Sequence, residues 1–161
     1  LSIFFKKFEA ETKLKIKFAA HPVSDPKKLD NLKKEYNFDI LHGNTPGLVK
    51  NCTAVLMHRS TSVSFAVLFE KPIIYLYLKE FDYFEMGNQI KKLKNLLGGE
   101  LIEVDYYKKK IDINNLIKIN KSKYNKYLDT YIRFPGSPDK ELVDILIDFI
   151  NRNYTENQKI N

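Results

Sequence analysis

The stretch VLMHRSTSVSFAVLFEKP (55–72), continued by IIYLYL (73–78), reads as one strand, one helix and a second strand. AVLMHR (54–59) has the apolar run of a buried strand, and Ser60-Thr61-Ser62 is expected to open a helix running to Lys71. Pro72 stops that helix, because it has no N–H to continue the ladder. IIYLYL is apolar without alternation, as in a parallel strand covered on both faces, so Tyr75 and Tyr77 are assigned to the core. The helix itself has no clearly polar side, with Val63, Phe65, Ala66, Val67, Leu68 and Phe69 all apolar. It is therefore central, and its start is expected to point into a crevice. One hydroxyl suffices to cap a helix. Three hydroxyls directly after His58 and Arg59, with no acid in the first turn, exceed that need and fit a bound phosphate.

Working outward, the same alternation repeats. KLKIKFAAHP (13–22) reads as a strand ending at His21-Pro22. Ser24-Asp25-Pro26 then opens a helix over DPKKLDNLKKEY. FDILHG (38–43) is a second strand and PGLVKNC (46–52) a helical turn. Beyond IIYLYL, FEMGNQIKKLKNLL is a longer helix closed by Gly98-Gly99, and ELIEVD (100–105) is the last strand. The remainder, from about residue 113, is a helical tail: INNLIKI, KYNKYLDTYI and, after FPGSPD, the amphipathic KELVDILIDFINRN. Strands alternating with helices predict an α/β fold: a single Rossmann-like domain over 1–161, with a mostly parallel sheet and helices on both faces.

Composition narrows the class. The chain has 161 residues, 43% of them hydrophobic and 29% charged, enough for one real core. A single cysteine, Cys52, excludes an internal disulfide, fits a reducing compartment and, with no evident activating partner, reads as packing or incidental. No apolar run approaches the roughly 20 residues of a membrane span, and a cytoplasmic location is expected, peripheral to the inner membrane at most. Leu1 in place of Met fits a piece of a longer chain. The net charge of +7 is mostly scattered lysine, without the arginine-rich stripe or module of a nucleic-acid binder, so no nucleic-acid partner is expected.

The three histidines, His21, His42 and His58, each fall at the carboxyl end of a predicted strand, where open α/β sheets bind ligands. Pro22 follows the first, Gly43-Asn44-Thr45 the second, and Arg59 with the hydroxyl triplet the third. These residues make up the candidate nucleotide- or phosphate-binding set. Ser-Thr-Ser before an apolar helix is more often only a cap, and a strand histidine more often structural. Convergence on one sheet edge favours the ligand reading. The histidines lack the short spacing of a zinc site, so no metal is expected. Neither GxGxxG nor GxxxxGK[ST] occurs. Glu100 and Glu103 read as a solvated rim, and Tyr106 to Lys110 as a loop.

At HP (21–22), GNT (43–45) and HRSTSVSFAVLFEKP (58–72) the sequence resembles bacterial surface-polysaccharide glycosyltransferases of the GT-B fold, specifically their C-terminal, donor-binding half. His-Pro after one strand and a Ser/Thr pair opening a helix some forty residues on is similar to the bacterial sialyltransferases and related capsule enzymes that use CMP-activated acidic sugars. The STS…A-L-F-x-KP segment also looks like the wider GT-B group, including UDP-sugar epimerases. The resemblance covers roughly residues 15–80. It implies that His21, Ser60 and Thr61 meet the phosphate of the leaving nucleotide, with His21 in a catalytic role, adding charge or donating a proton. Gly43 and Thr45 would let the base or ribose approach the backbone.

The resemblance further implies a CMP- or UDP-linked sugar donor and no other cofactor. A saccharide acceptor would be met through an N-terminal domain that also supplies the general base, and no equivalent of that base occurs here. The expected function is therefore the donor-binding domain of a glycosyltransferase in capsule or lipooligosaccharide biosynthesis. The alternatives are a non-catalytic nucleotide- or sugar-phosphate-binding module acting with a partner subunit, or part of a UDP-sugar epimerase.

Overall fold

The computed structural model describes all residues except Pro22, Asn37, Phe38, Tyr106, Phe134, Pro135, Asp139, Glu141 and 159–161. Two compact units emerge, Leu1–Leu128 and Asp129–Asn161. The first is an α/β structure in which every strand pairing is parallel.

Strand β4 (Ile73–Tyr77) organises the first unit. All five of its residues are buried. It pairs with β3 (Val55–Met57) on one edge and β5 (Glu100–Glu103) on the other. Successive side chains point to opposite faces, and both faces are covered. Ile73, Tyr75 and Tyr77 pack with Val63, Ala66 and Val67 of α4 (Val63–Leu68), Ile90 and Leu97 of α5 (Glu85–Leu97), and Tyr124 of α7 (Lys121–Tyr127). Ile74 and Leu76 face the other way, toward Phe4 and Phe8 of α1 (Ser2–Thr12), Leu116 of α6 (Ile113–Leu116), and Ile102 and Val104. Helices on both faces of a parallel sheet are what the unalternated apolar run requires.

Helix α1 has no counterpart in the sequence reading. Phe4 and Phe8, one turn apart, form its buried stripe. Lys13 ends it in the left-handed region at φ 61°, donating its N–H to Glu9 O. The Glu9 carboxylate accepts from Ile16 N at 2.8 Å and so fixes the path into β1 (Lys17–Ala20).

β1 pairs only with β2 (Asp39–His42), forming a two-stranded sheet separate from the three-stranded one. Between them runs α2 (Pro26–Tyr36), with Pro26 in its first turn and the Asp25 carboxylate accepting from Lys27 N at 2.9 Å. α2 packs beside α1 and β2, whereas α3 (Thr45–Asn51) packs on β1 and α4. The connections β1–α2–β2 and β2–α3–β3 therefore use opposite sides of the structure.

Two boundaries differ from expectation. The helix expected over 60–71 is confined to Val63–Leu68, and it ends in a Schellman arrangement in which Lys71 N donates to Ala66 O and Glu70 N to Val67 O. Glu70 takes the left-handed position, φ 47°, that glycine usually fills. By contrast, α5 closes at Gly98 as the Gly-Gly pair predicted. Gly99, at φ 89°, lies so close to the Ile73 carbonyl oxygen that any Cβ would collide with it.

In the second unit a π-helical turn spans Leu128–Ile132, beginning on the last residue of the first unit, and α8 covers Leu142–Gln158. On α8 the apolar Val143, Leu146, Ile147 and Ile150 are exposed at helical spacing. Among the described residues no helix is long and apolar enough to cross a membrane.

Candidate functional site

The carboxyl ends of β2 and β3 lead into a cleft of about 960 Å³ between the two sheets. Its polar mouth is formed by Asn44, Thr45, His58, Arg59, Ser60 and Ser62. Its walls are apolar, with Phe18 from β1, Ile40 from β2, Leu48 from α3, and Leu56 and Met57 from β3.

The hydroxyl triplet stands before helix α4 instead of inside it. Ser60, Thr61 and Ser62 give their carbonyls to Val63, Ser64 and Phe65 N, three successive i to i+3 turns. The Ser60 hydroxyl accepts from Ser62 N at 3.1 Å, closing a local turn. Ser62 is the N-cap residue yet makes no side-chain cap bond. The Ser60 hydroxyl thus serves a turn ahead of the helix, and the N-cap hydroxyl makes no cap bond. The helix has six residues, so the dipole expected behind a phosphate is short.

His58 is half-buried and oriented from both sides. Its Nδ1 lies 2.7 Å from Leu76 O. A carbonyl can only accept, so Nδ1 carries the proton in that bond and the neutral ring keeps Nε2 as its acceptor. Phe81 meets the ring edge-on at 5.2 Å between centroids. Arg59 is exposed at the cleft mouth and makes no ion pair among the described residues. On the facing side, Asn44 caps α3 by accepting from Gly47 N at 3.1 Å. A Cβ on Gly47 would strike the Asn44 side chain and displace the cap.

Of the residues the sequence singled out, Asn44, Thr45, His58, Arg59, Ser60 and Ser62 come together around this cleft. His21, His42, Gly43 and Thr61 are exposed and outside its lining. The Nδ1 of His21 accepts from Val23 N at 3.3 Å, and Gly43 has φ 75° with open space around it. Pro22 lies outside the described residues.

Sequence reasoning missed Lys15, Lys17 and Cys52 as cleft residues. Lys15 is held by Glu9 at 3.2 Å. Cys52 is half-buried with Sγ 3.2 Å from Val49 O, and burial raises its thiol above the ordinary range while Lys71 acts in the opposite direction. The alternation of lysine with apolar residues in KLKIKF carried the signal for Lys17, which strand periodicity sets opposite Phe18. Among the described residues no three His, Cys, Asp or Glu side chains are grouped as a metal site would need. Likewise no aspartate or glutamate lines the cleft, so its described charges are all positive. No protein-family model matches the sequence, no curated protein matches it, and no solved structure matches the chain.

Proposed function

We propose that the cleft mouth binds the phosphate of a nucleotide-sugar donor, and that the chain is the donor-binding part of a surface-polysaccharide glycosyltransferase. The observation that carries the anion reading is Arg59, exposed at the mouth and without an ion pair among the described residues, in a cleft whose described lining has no carboxylate. Arg59 offers a planar fork of donors suited to phosphate oxygens. The unoccupied Ser62 hydroxyl and the Ser60 hydroxyl add two more. The sugar and nucleotide parts of the proposal rest on the motif resemblance.

Transfer would break the bond between the anomeric carbon and a phosphate oxygen, leaving the electron pair on phosphate. Donors fixed around that oxygen stabilise the growing charge. Nε2 of His58 can accept from a donor or acceptor hydroxyl. The absence of any carboxylate among the described lining residues favours, as the second reading, a module that binds without catalysing transfer.

The test is thermal unfolding of the chain with CMP, UDP, GDP or inorganic phosphate. A ligand at 100 times its Kd stabilises by about 2.7 kcal/mol, a readable shift. We expect a nucleotide to raise the melting temperature more than phosphate does. Arg59→Ala should weaken that nucleotide by ~10- to 100-fold, the loss of a hydrogen bond to a charged group being about 1.5–3 kcal/mol. No shift with any of the four overturns the proposal, and a CMP-selective or UDP-selective shift decides the donor base.

A further inference from the structure

We propose that β1 docks edge-on against β3, joining the two sheets into one five-stranded parallel sheet of order β2-β1-β3-β4-β5, and that the cleft interior is the open form of this movement. The first observation is a pair of unused edges. β1 bonds only to β2, and β3 only to β4. Val55 N donates to Pro72 O at 2.8 Å with Val55 in register with Ile73. In a parallel ladder alternate residues of a strand serve one neighbour. Val55 and Met57 therefore serve β4, and the Leu56 N–H and C=O point away from it, toward the cleft. Backbone groups at a covered position need partners.

The second observation is the order of connections. α2 packs on the α1 side, while α3 packs against β1 and α4. Crossovers between parallel strands are right-handed. With α2 on one face and α3 on the other, the chain moves one way from β1 to β2 and the opposite way from β2 to β3. It passes back over β1, as the position of α3 shows, and that places β3 beside the free edge of β1.

The third is what lies between. Phe18 is 39% exposed, and the facing wall includes Leu56. Docking buries both and satisfies the two edges together. The solvated ammonium of Lys17 opposes it, since closure leaves that side chain to reach past the α3 face to water. The polar mouth lies outside the strand ends, where doubly wound sheets keep a crevice at the point of reversal. Closure therefore leaves Arg59 and Ser60 accessible while removing the apolar interior as ligand space, and it does not depend on which ligand binds.

Cysteine pairs trap the closed form. In a Cys52→Ser background, Phe18→Cys is combined with Leu56→Cys or with Ala54→Cys, residues assigned by strand periodicity and packing to the same face. Lys17→Cys with Asp39→Cys, partners across β1 and β2, is the positive control. Disulfides form only when Cα atoms come within about 7 Å. We expect at least one test pair to oxidise within the monomer, at a rate within tenfold of the control. Both test pairs staying reduced while the control oxidises overturns the proposal. Should the cysteine variants fail to fold, the Leu56 amide of the unaltered chain decides: hydrogen exchange slowed tenfold or more supports docking, and a smaller slowing overturns it.

Discussion

Strands β4 and β1 are of similar length and each is paired in parallel, yet their surroundings differ completely. β4 has a strand on both edges and helices on both faces, and none of its residues is exposed. β1 has one partner, and three of its four residues are exposed. Apolar character alone does not bury a strand. Ile73 to Tyr77 is buried because α4 and α5 arrive on one side and α1 on the other, each bringing its own apolar stripe. The difference divides the first unit into a rigid frame around β4 and a lighter part, β1 and β2, that carries one side of the candidate site.

The strongest blow to the frame is Gly99→Ala. The new methyl has to occupy the space of the Ile73 carbonyl at a positive φ, and the expected loss is more than about 3 kcal/mol, read by chemical denaturation. Next come matched truncations. Ile73→Ala should lose about 3–4 kcal/mol from a wholly buried position, whereas Leu41→Ala in β2, already 37% exposed, should lose less than about 1 kcal/mol. Equal losses would erase the distinction between the two parts.

Tyr75→Phe sharpens the comparison in the opposite direction. The Tyr75 hydroxyl is buried without a hydrogen-bond partner among the described residues, and burial raises its ionisation well above the ordinary tyrosine range. Removing an unpaired buried hydroxyl should stabilise the chain by about 1 kcal/mol. Any destabilisation would mean the hydroxyl is satisfied in solution.

The smallest effect concerns Asp82. Its carboxylate accepts from Lys91 Nζ at 2.7 Å and from the Tyr77 hydroxyl, and these bonds hold it below the usual carboxylate range. A lowered folded value means that its contribution is present above about pH 4, the unfolded value, and disappears as pH falls through the folded one. Asp82→Asn should flatten that acid limb in melts between pH 2 and 5 and leave the truncation comparison unchanged. A limb of unchanged slope would assign it to other carboxylates.

Most of the frame could be read from sequence because its signals are local. IIYLYL lacks alternation, and Gly98-Gly99 follows an amphipathic run. α1 escaped because residues 1–12 carry only two deeply buried positions, Phe4 and Phe8, and the core they join is built from β4, β5 and α6, far along the chain. The triplet was expected to open the helix, and it stands before it instead. Ser60 turns on itself through Ser62 N, and no residue pattern distinguishes that turn from a first helical turn. Sequence placed all three histidines at strand ends, but among the described residues only His58 bonds a neighbouring strand through its side chain, at Leu76 O. That contact depends on strand order, which the linear spacing of histidines does not encode.

The spacing of the strand partners has a consequence for how the chain reaches its structure. Val55 meets Ile73 across a shorter stretch of chain than Lys17 and Asp39 or Ile74 and Glu100 require. Shorter loops lose less entropy on closing, although the dependence is only logarithmic. The β3–α4–β4 unit also gathers much of the core, including Met57, Val63, Ala66 and Ile73. Folding kinetics of truncation mutants should therefore give the highest φ-values in α4 and β4 and the lowest in β1, and a uniform distribution would remove this unit as the nucleus. The part that forms last would then be the part that carries one side of the candidate site.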